Sequence, residues 1–380
     1  MIALDHAVGL GSRAAARVTA ETAFDASDRE RWDELVDTMP RPTPFLLQEW
    51  LMAWWRHFGG GRELAIHTAR TDGRLLAALP LVVGTTWPRT PAARFVGAPD
   101  STLADIVAPA GADPDTLHRV LDAAMAAHDL LDLFSLAPDG HLASLLPRQR
   151  LPIRARAPVM DLAGGWEEGF GRKTSSRRRA LYRRRWRQLR DLGRVDLAVV
   201  ADEDDVGPGL EDAFRVHALR WHSRPDVSTF ADDRGRAFNR DALTALARSG
   251  RVRLLVLRID GAPVAFTCSL VAGGRMFLYR LAFDPAYGRW SPGILVALEA
   301  IRLAAEEGAT GVEFLRGTER YKVELADRVD PLSQALIARG GRALAAKAAI
   351  SGRMRAGRTL LAGKRAGRGV VRAWRQREER

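Results

Sequence analysis

The chain has 380 residues, 47% of them apolar, which is ample for a large core and fits two domains better than one. No apolar run approaches the roughly 18 residues of a membrane-spanning helix, and the single cysteine, Cys268, excludes an internal disulfide or a thiolate metal cage. The net charge of +12 is concentrated: residues 172–194 carry eleven Lys or Arg against one Asp (+10), residues 335–380 carry thirteen against two Glu (+11), and the rest of the chain is therefore at −9.

Residues 1–20 read as a loose lead-in. Asp5 stands where a signal peptide carries Lys or Arg, so a cytoplasmic protein is expected. A helix is predicted over 28–36 from a capping start at Ser27 or Asp28, and a second over 48–57, rich in Trp50, Trp54 and Trp55. Alternating runs at 64–70 and 75–83 flank Thr71-Asp72-Gly73-Arg74, a hairpin signal. A helix over 115–128 and a buried strand over 130–136 follow. Pro152 to Pro158 reads as a separator.

The second half opens with a long basic helix over 169–192 and a strand over 195–200. Helices over 211–221 and 234–249 bracket a loop, and strands over 252–260, 264–271 and 276–283 form a meander. Ser291-Pro292-Gly293 then starts an amphipathic helix that Gly308 ends, and a short strand over 311–315 comes next. Each half thus runs two helices, a hairpin with an Asp-Gly turn (Asp72-Gly73; Asp260-Gly261), a helix and a strand. That order predicts an α+β chain of two tandem domains, 21–160 and 161–330, each a mixed, mostly antiparallel sheet flanked by helices. Residues 331–380 are expected to be a basic Ala/Gly/Arg-rich tail, poorly packed over 335–380 and suited to an anionic membrane surface.

Two clusters carry chemistry. The turn Arg289-Trp290-Ser291-Pro292-Gly293-Ile294 leads a strand into a helix N-terminus, where unpartnered N–H groups and the dipole favour an anion. The same residues also make an ordinary helix cap. The second cluster, Arg316-Gly317-Thr318-Glu319-Arg320-Tyr321-Lys322, follows the last strand and offers groups that move protons or hold a substrate. Glu313 alternates with Val312 and Phe314 and reads as a further candidate or as a solvent-facing acid. His217 and Trp221 share a helix face at i, i+4, with His217 a candidate base or a packing histidine. His222 follows on that helix, and no metal spacing is present. Cys268 reads as a buried structural thiol. The basic helix, with Leu181, Trp186 and Leu189 as its packed face, suggests an anion-facing role ahead of nucleic-acid binding.

Three elements, Phe283-Asp284-Pro285-x-Tyr287, Ser291-Pro292-Gly293-Ile294-Leu295 and Phe314-Leu315-Arg316-Gly317-x-Glu319-x-Tyr321-Lys322, resemble the GNAT acyltransferase superfamily, in the branch with CelD-like cellulose biosynthesis proteins and Fem-type peptidyltransferases. The likeness covers 165–325 well and 40–160 faintly. It departs from the family in having Glu313 near the place of the usual Asp, and a less Gly-rich pyrophosphate loop. The resemblance implies two tandem GNAT-like domains and a catalytic second half. The reaction it implies moves an acyl group, acetyl foremost, from an acyl-CoA to an amine or hydroxyl of a sugar, lipid or envelope precursor. It makes Glu319, Tyr321, Lys322 and Glu313 the catalytic candidates. Arg289, Ser291, Gly293 and Ile294 would face the acyl-CoA, and Arg316, His217, Trp221 and Arg178 the acceptor. An aminoacyl-tRNA-dependent peptidyltransferase and an idle scaffold of a polysaccharide-synthesis complex are the other readings, and a peripheral place at the inner membrane face fits the tail.

Overall fold

The computed structural model describes residues 16–86, 89–98, 101–147, 151–221 and 228–354. The strands are β1 (Arg17–Glu21), β2 (Glu63–Thr71), β3 (Arg74–Thr86), β4 (Thr90–Phe95), β5 (Leu130–Leu136), β6 (Ile153–Asp161), β7 (Val195–Val200), β8 (Val252–Ile259), β9 (Ala262–Ala272), β10 (Arg275–Phe283), β11 (Gly311–Glu313) and β12 (Arg328–Ala338). The helices are α1 (Arg29–Asp37), α2 (Gln48–Phe58), α3 (Pro114–Ala127), α4 (His141–Leu145), α5 (Gly165–Lys173), α6 (Ser176–Arg190), α7 (Glu203–Trp221), α8 (Asp233–Arg248), α9 (Pro292–Glu306) and α10 (Arg320–Leu325), followed by α11 over 340–354.

All twelve strands form one sheet in the order β1-β2-β3-β4-β5-β12-β6-β11-β10-β9-β8-β7. Neighbours run antiparallel except β4 with β5 and β10 with β11. The two halves therefore share one plan, a four-strand antiparallel run, then a parallel step, then a final strand. Each half takes that final strand from elsewhere: β12, late in the chain, completes the first half, and β6 completes the second. The two meet along the β6–β12 ladder at the centre of the sheet.

This exchange corrects two sequence expectations. The Pro152–Pro158 segment is a central strand, because Pro158 lacks only its N–H and its carbonyl still accepts from Phe314 N–H at 3.0 Å. Residues 331–338 lie in the middle of the sheet, not in a tail, and α11 buries Ala343, Ala346 and Ile350. The expectation for 355–380 lies outside the described residues, as do most of the lead-in and His222. The basic helix is two helices, α5 and α6, broken at Thr174-Ser175, where the Ser175 hydroxyl caps α6 by accepting from Arg178 N–H.

Helices α1, α2, α7 and α8 cover one sheet face with a single core that runs through both halves. Its centre is aromatic: Trp50 sits edge-on to Phe45, Phe238 and Tyr279 with ring centroids 5.2, 5.0 and 5.3 Å apart. Each such pair adds about 0.5–1.5 kcal/mol beyond the area it buries. Because Phe45 and Trp50 come from the first half and the others from the second, the halves are joined by core rather than by a linker. On the opposite face α3 covers the first half and α9 the second.

Candidate functional site

The parallel pairing of β10 with β11 covers only Arg275, Met276 and Phe277, opposite Gly311, Val312 and Glu313. Beyond Phe277, β10 runs on to Phe283 while the other chain turns away with β6, its Phe314 and Gly317 N–H groups donating to the Pro158 and Arg156 carbonyls. The sheet opens there. At the opening β10 carries a bulge between Leu278 and Arg280, which re-aims side chains as bulges do.

Tyr279, the bulged residue, is buried. Its hydroxyl donates to Asn239 Oδ1 at 2.8 Å, and Asn239 Nδ2 in turn donates to Thr229 Oγ1 and the Gly235 carbonyl. The Arg280 guanidinium lies 4.2 Å from the centre of the Tyr279 ring. On α7, His217 is only 3% exposed, and its Nε2 meets Ser228 Oγ at 2.8 Å while Nδ1 has no hydrogen-bond partner. Burial, helped by Arg280 and Arg236, depresses the imidazole to about 4, so it is neutral at physiological pH. Cys268, beside this site on β9, is pushed up to about 12 by burial and is inert as a nucleophile.

The loop after β11 reaches the same place. Gly317 has φ +117°, a conformation reserved for glycine, and turns the chain into α10. Lys322 Nζ donates to the Arg316 carbonyl and approaches Glu319 Oε2, both at 3.1 Å. Burial lowers the ammonium below its usual range; Glu319 opposes this and Arg280 adds to it. Burial, with Glu319 beside it, raises the Tyr321 phenol, which stands edge-on to Phe314. Arg280 is thus the cation felt by both His217 and Lys322.

The start of α9 differs from that of its counterpart α3. In α3 the Asp113 carboxylate accepts from the Asp115 and Thr116 N–H groups. In α9 Ser291 adopts a left-handed conformation (φ 55°) and its side chain caps nothing. Pro292 brings no N–H, and the Ile294 and Leu295 N–H groups already donate to the Ser291 carbonyl at 3.1 and 3.3 Å. Gly293 and the Arg289 side chain are what this turn offers an anion. Arg289 stacks on Trp290 at 3.9 Å. A Cβ on Gly293 would meet Phe283 at 2.9 Å, so this glycine also lets α9 pack on β10. Arg220 covers Phe283 from above, linking the Trp221 end of α7 to this turn.

Two sequence candidates stand elsewhere. Glu313 faces neither solvent nor the opening: it is fully buried and held by Arg41 Nη2 at 2.8 Å and Arg275 Nε at 3.0 Å. Arg41 also binds Asp139 and Asp330. Burial alone would lower its guanidinium, but Glu313, Asp139 and Asp330 outweigh that and raise it. A carboxylate clamped by two cations is a structural tie, not a base. Arg178 forms a bidentate pair with Glu324 at 2.7 and 3.1 Å and fastens α6 to α10. Tyr279, Arg280, Asn239 and Ser228 were not singled out from sequence. The readable signal was an arginine inside the apolar run Phe277-Leu278-Tyr279-Arg280-Leu281.

Among the described residues no group of three His, Cys, Asp or Glu could hold a metal ion, and no helix is long and apolar enough to cross a membrane. Residues 176–323 match the family model of the acetyltransferase (GNAT) domain. No curated protein matches the chain. Among solved structures, FemX aligns at a TM-score of 0.60 and 11% identity, over 80% of this chain and 95% of that one. The C-terminal domain of a protein assigned as a lysylphosphatidylglycerol synthetase from Agrobacterium fabrum aligns at 0.53 and 16%, over 84% and 94%. A Bacteroides thetaiotaomicron protein of unknown function aligns at 0.51 and 12%, over 84% and 100%. These likenesses are of fold. The opened sheet and the uncapped helix start both lie within the residues that match the acetyltransferase (GNAT) domain.

Proposed function

We propose that the chain moves an acyl group, acetyl foremost, from an acyl-CoA to an amine or hydroxyl of a sugar, lipid or envelope precursor. The observation that carries this reading is the opening of the sheet beyond Phe277, with the β10 bulge on one side and the start of α9 at the far end of the strand. An extended thioester arm fits beside the unpaired edge of β10, its phosphates toward Gly293 and Arg289. The thioester carbonyl then lies near Arg280, whose charge stabilises the oxyanion that develops as the acceptor attacks. Lys322, held with its ammonium weakened and paired to Glu319, is placed to pass the acceptor's proton to the leaving thiolate. His217, neutral and bonded to Ser228, helps shape the acceptor side.

Calorimetric titration of CoA and acetyl-CoA into the full chain tests the donor. Binding somewhere in the ~1 μM to 1 mM range usual for enzyme substrates is expected. Silence at millimolar ligand sinks the acyl-CoA reading. With a competent acceptor, Lys322→Met should lower turnover about 100-fold, the usual worth of a positioned proton-transfer group.

One observation favours a second reading. Arg177, Arg183, Arg184 and Arg187 of α6 are exposed, and no carboxylate pairs with them among the described residues. Such a strip suits a polyanion, and with it an aminoacyl-tRNA donor. A mobility shift with tRNA that disappears as salt rises, together with no CoA binding, would favour it over the first.

A further inference from the structure

We propose that the α6 side of the second half docks on an anionic lipid bilayer, with one lipid headgroup seated in the groove between α6, β7 and α9. The arginines of this region divide into two sets. One set is engaged: Arg172 binds Asp327, Arg178 binds Glu324, and Arg179 donates to the Thr174 carbonyl. The other set, Arg177, Arg183, Arg184, Arg187, Arg190 and Arg194, is exposed, and none of the six pairs with a carboxylate among the described residues. Asp191 and Asp196 are the acids of this stretch, and Asp196 already faces Arg258. Arg183, Arg187 and Arg190 repel one another at three- and four-residue spacing, and arginines in the first turn oppose the helix dipole. A layer of anions over this face relieves both.

The groove holds about 740 Å³. Arg183, Arg187 and Arg190 line it together with Trp186, Val195 and Leu197. Arg190 lies over the Trp186 ring at 5.8 Å, which keeps that guanidinium at the groove. Glu299 is the acid in the lining, and its carboxylate already accepts from Arg302 Nε at 2.9 Å. From Arg183 to Arg190 is about 10 Å along the helix. That is longer than one phosphate, and it matches a headgroup in the groove with its neighbours in a lipid layer.

Apolar side chains single out a bilayer. Among the described residues seven large apolar side chains are exposed, and three of them, Leu181, Leu192 and Val199, fall in this one stretch. Leu181 is on α6 and Leu192 follows its end. Val199 lies on β7, the last strand of the sheet, on the same side as Leu197. Guanidiniums with apolar groups between them suit the boundary between headgroups and acyl chains, where leucines and arginine stems enter while the charges stay with phosphates. A nucleic acid strand would instead reward exposed aromatic rings, and Tyr182 and Trp186 are packed against the core. The bidentate Arg178–Glu324 pair fastens α6 to α10, which carries Lys322 and the exposed Val323. Docking therefore brings the bilayer to the helix of the candidate proton carrier. Where the acyl-transfer reading above holds, the acceptor is narrowed to one borne by a lipid.

The test is sedimentation of the full chain with vesicles of phosphatidylcholine alone and of phosphatidylcholine mixed equally with phosphatidylserine. The chain should pellet with the mixed vesicles at low salt, stay free of the neutral ones, and be released as salt rises. Arg183→Gln, Arg187→Gln and Arg190→Gln together should weaken binding about 100-fold, each cation near such a surface being worth about fivefold. Arg29→Gln, Arg56→Gln and Arg248→Gln, on α1, α2 and α8 over the opposite sheet face, remove the same charge and should change little. Leu181→Gln with Leu192→Gln should weaken vesicle binding without altering charge. Melting temperatures show which variants are folded, and the leucine pair decides where the arginine variant is not. No binding to the mixed vesicles overturns the proposal. Equal losses in the two triple variants overturn it as well, marking diffuse attraction to a basic protein. So does binding that the α6 variants leave unchanged, which puts the contact elsewhere on the chain. A tRNA mobility shift that the α6 arginine variant abolishes, without vesicle binding, also overturns it and returns these arginines to the RNA reading. CoA is titrated separately: vesicle binding without CoA binding leaves the docking face standing while the donor reading fails.

Discussion

The two halves of the sheet are built alike but treat their parallel step differently. In the first, the register of β4 with β5 ends at Arg94 opposite Asp132, and the acid faces an arginine-lined cavity. In the second, the register of β10 with β11 ends at Phe277 opposite Glu313, and that acid is sealed. The seal comes from the other half: Arg41, 272 residues away in sequence, crosses to bind it. A repeated architecture has thus used one acid to orient cations toward an open site and the other to fasten the two repeats together. The difference lies in who supplies the guanidiniums, since Asp132 meets a half-exposed Arg94 while Glu313 meets the buried Arg41.

The largest expected effect tests this directly. Glu313→Ala leaves Arg41 and Arg275 without their shared carboxylate inside the protein. Breaking a buried pair by removing one partner costs about 3–5 kcal/mol. Asp132→Ala should cost clearly less, because Arg94 is already partly exposed to water. Urea unfolding of the two variants decides. Equal losses would mean that the acids do the same job and that the contrast is false.

A second effect is a matter of pH, and it should be the same in both halves. His67 in β2 faces His128, Nε2 to Nε2 at 3.2 Å, and burial first, with His128 second, depresses it to about 4. His217 in the second half is depressed to the same level by burial. Both folded values lie below the unfolded 6.5, so the unfolded chain binds more protons between the two. Stability is therefore full above about pH 6.5 and falls as pH drops toward 4, by ~1.4 kcal/mol per unit for each histidine and about 3 kcal/mol at most. His67→Gln and His217→Gln should each flatten the acid side of the stability curve. If only one does, the halves differ in burial where the structure has them alike.

Much of the second half was legible because its signals are local. The Asp260-Gly261 turn, the Pro292 helix start and the Gly317 turn each depend on residues within a few positions, and the run from Arg316 to Lys322 stays together in the fold. What sequence concealed depends on partners far away. Strand β12 reads RVDPLSQALIA, and its Asp330 looks wrong for the middle of a sheet until Arg41 and Arg328 are beside it. Strand β6 carries Arg154 and Arg156 without burying either in the core: Arg154 lines a cavity and Arg156 is exposed. Glu313 read as a catalytic candidate or a solvent-facing acid, and not as a buried tie, because nothing near it in sequence announces Arg41. The arginine-lined cavity beside Asp132 drew no notice, since Arg62, Arg94, Arg154 and Arg316 come from four separated stretches of chain.

The smallest effect concerns the two helix starts. Asp113 caps α3 with two backbone N–H bonds, and loss of such a cap costs about 1 kcal/mol. Ser291 holds the matching place before α9 but caps nothing, and it sits at positive φ, where any residue except glycine is strained. Asp113→Ala should therefore lower stability by about 1 kcal/mol while leaving ligand binding intact. Ser291→Gly should be neutral or stabilise by a few tenths of a kcal/mol, since removing Cβ relieves the left-handed backbone more than it frees the unfolded chain. The pair of melting temperatures is informative together with CoA titration. A start left uncapped by its own side chain is one that a ligand's phosphate can approach, so Ser291→Asp, which would place a carboxylate there, should weaken CoA binding and leave the fold unharmed. If Ser291→Asp binds CoA as the wild type does, the phosphates lie away from the start of α9 and the donor assignment of this turn falls.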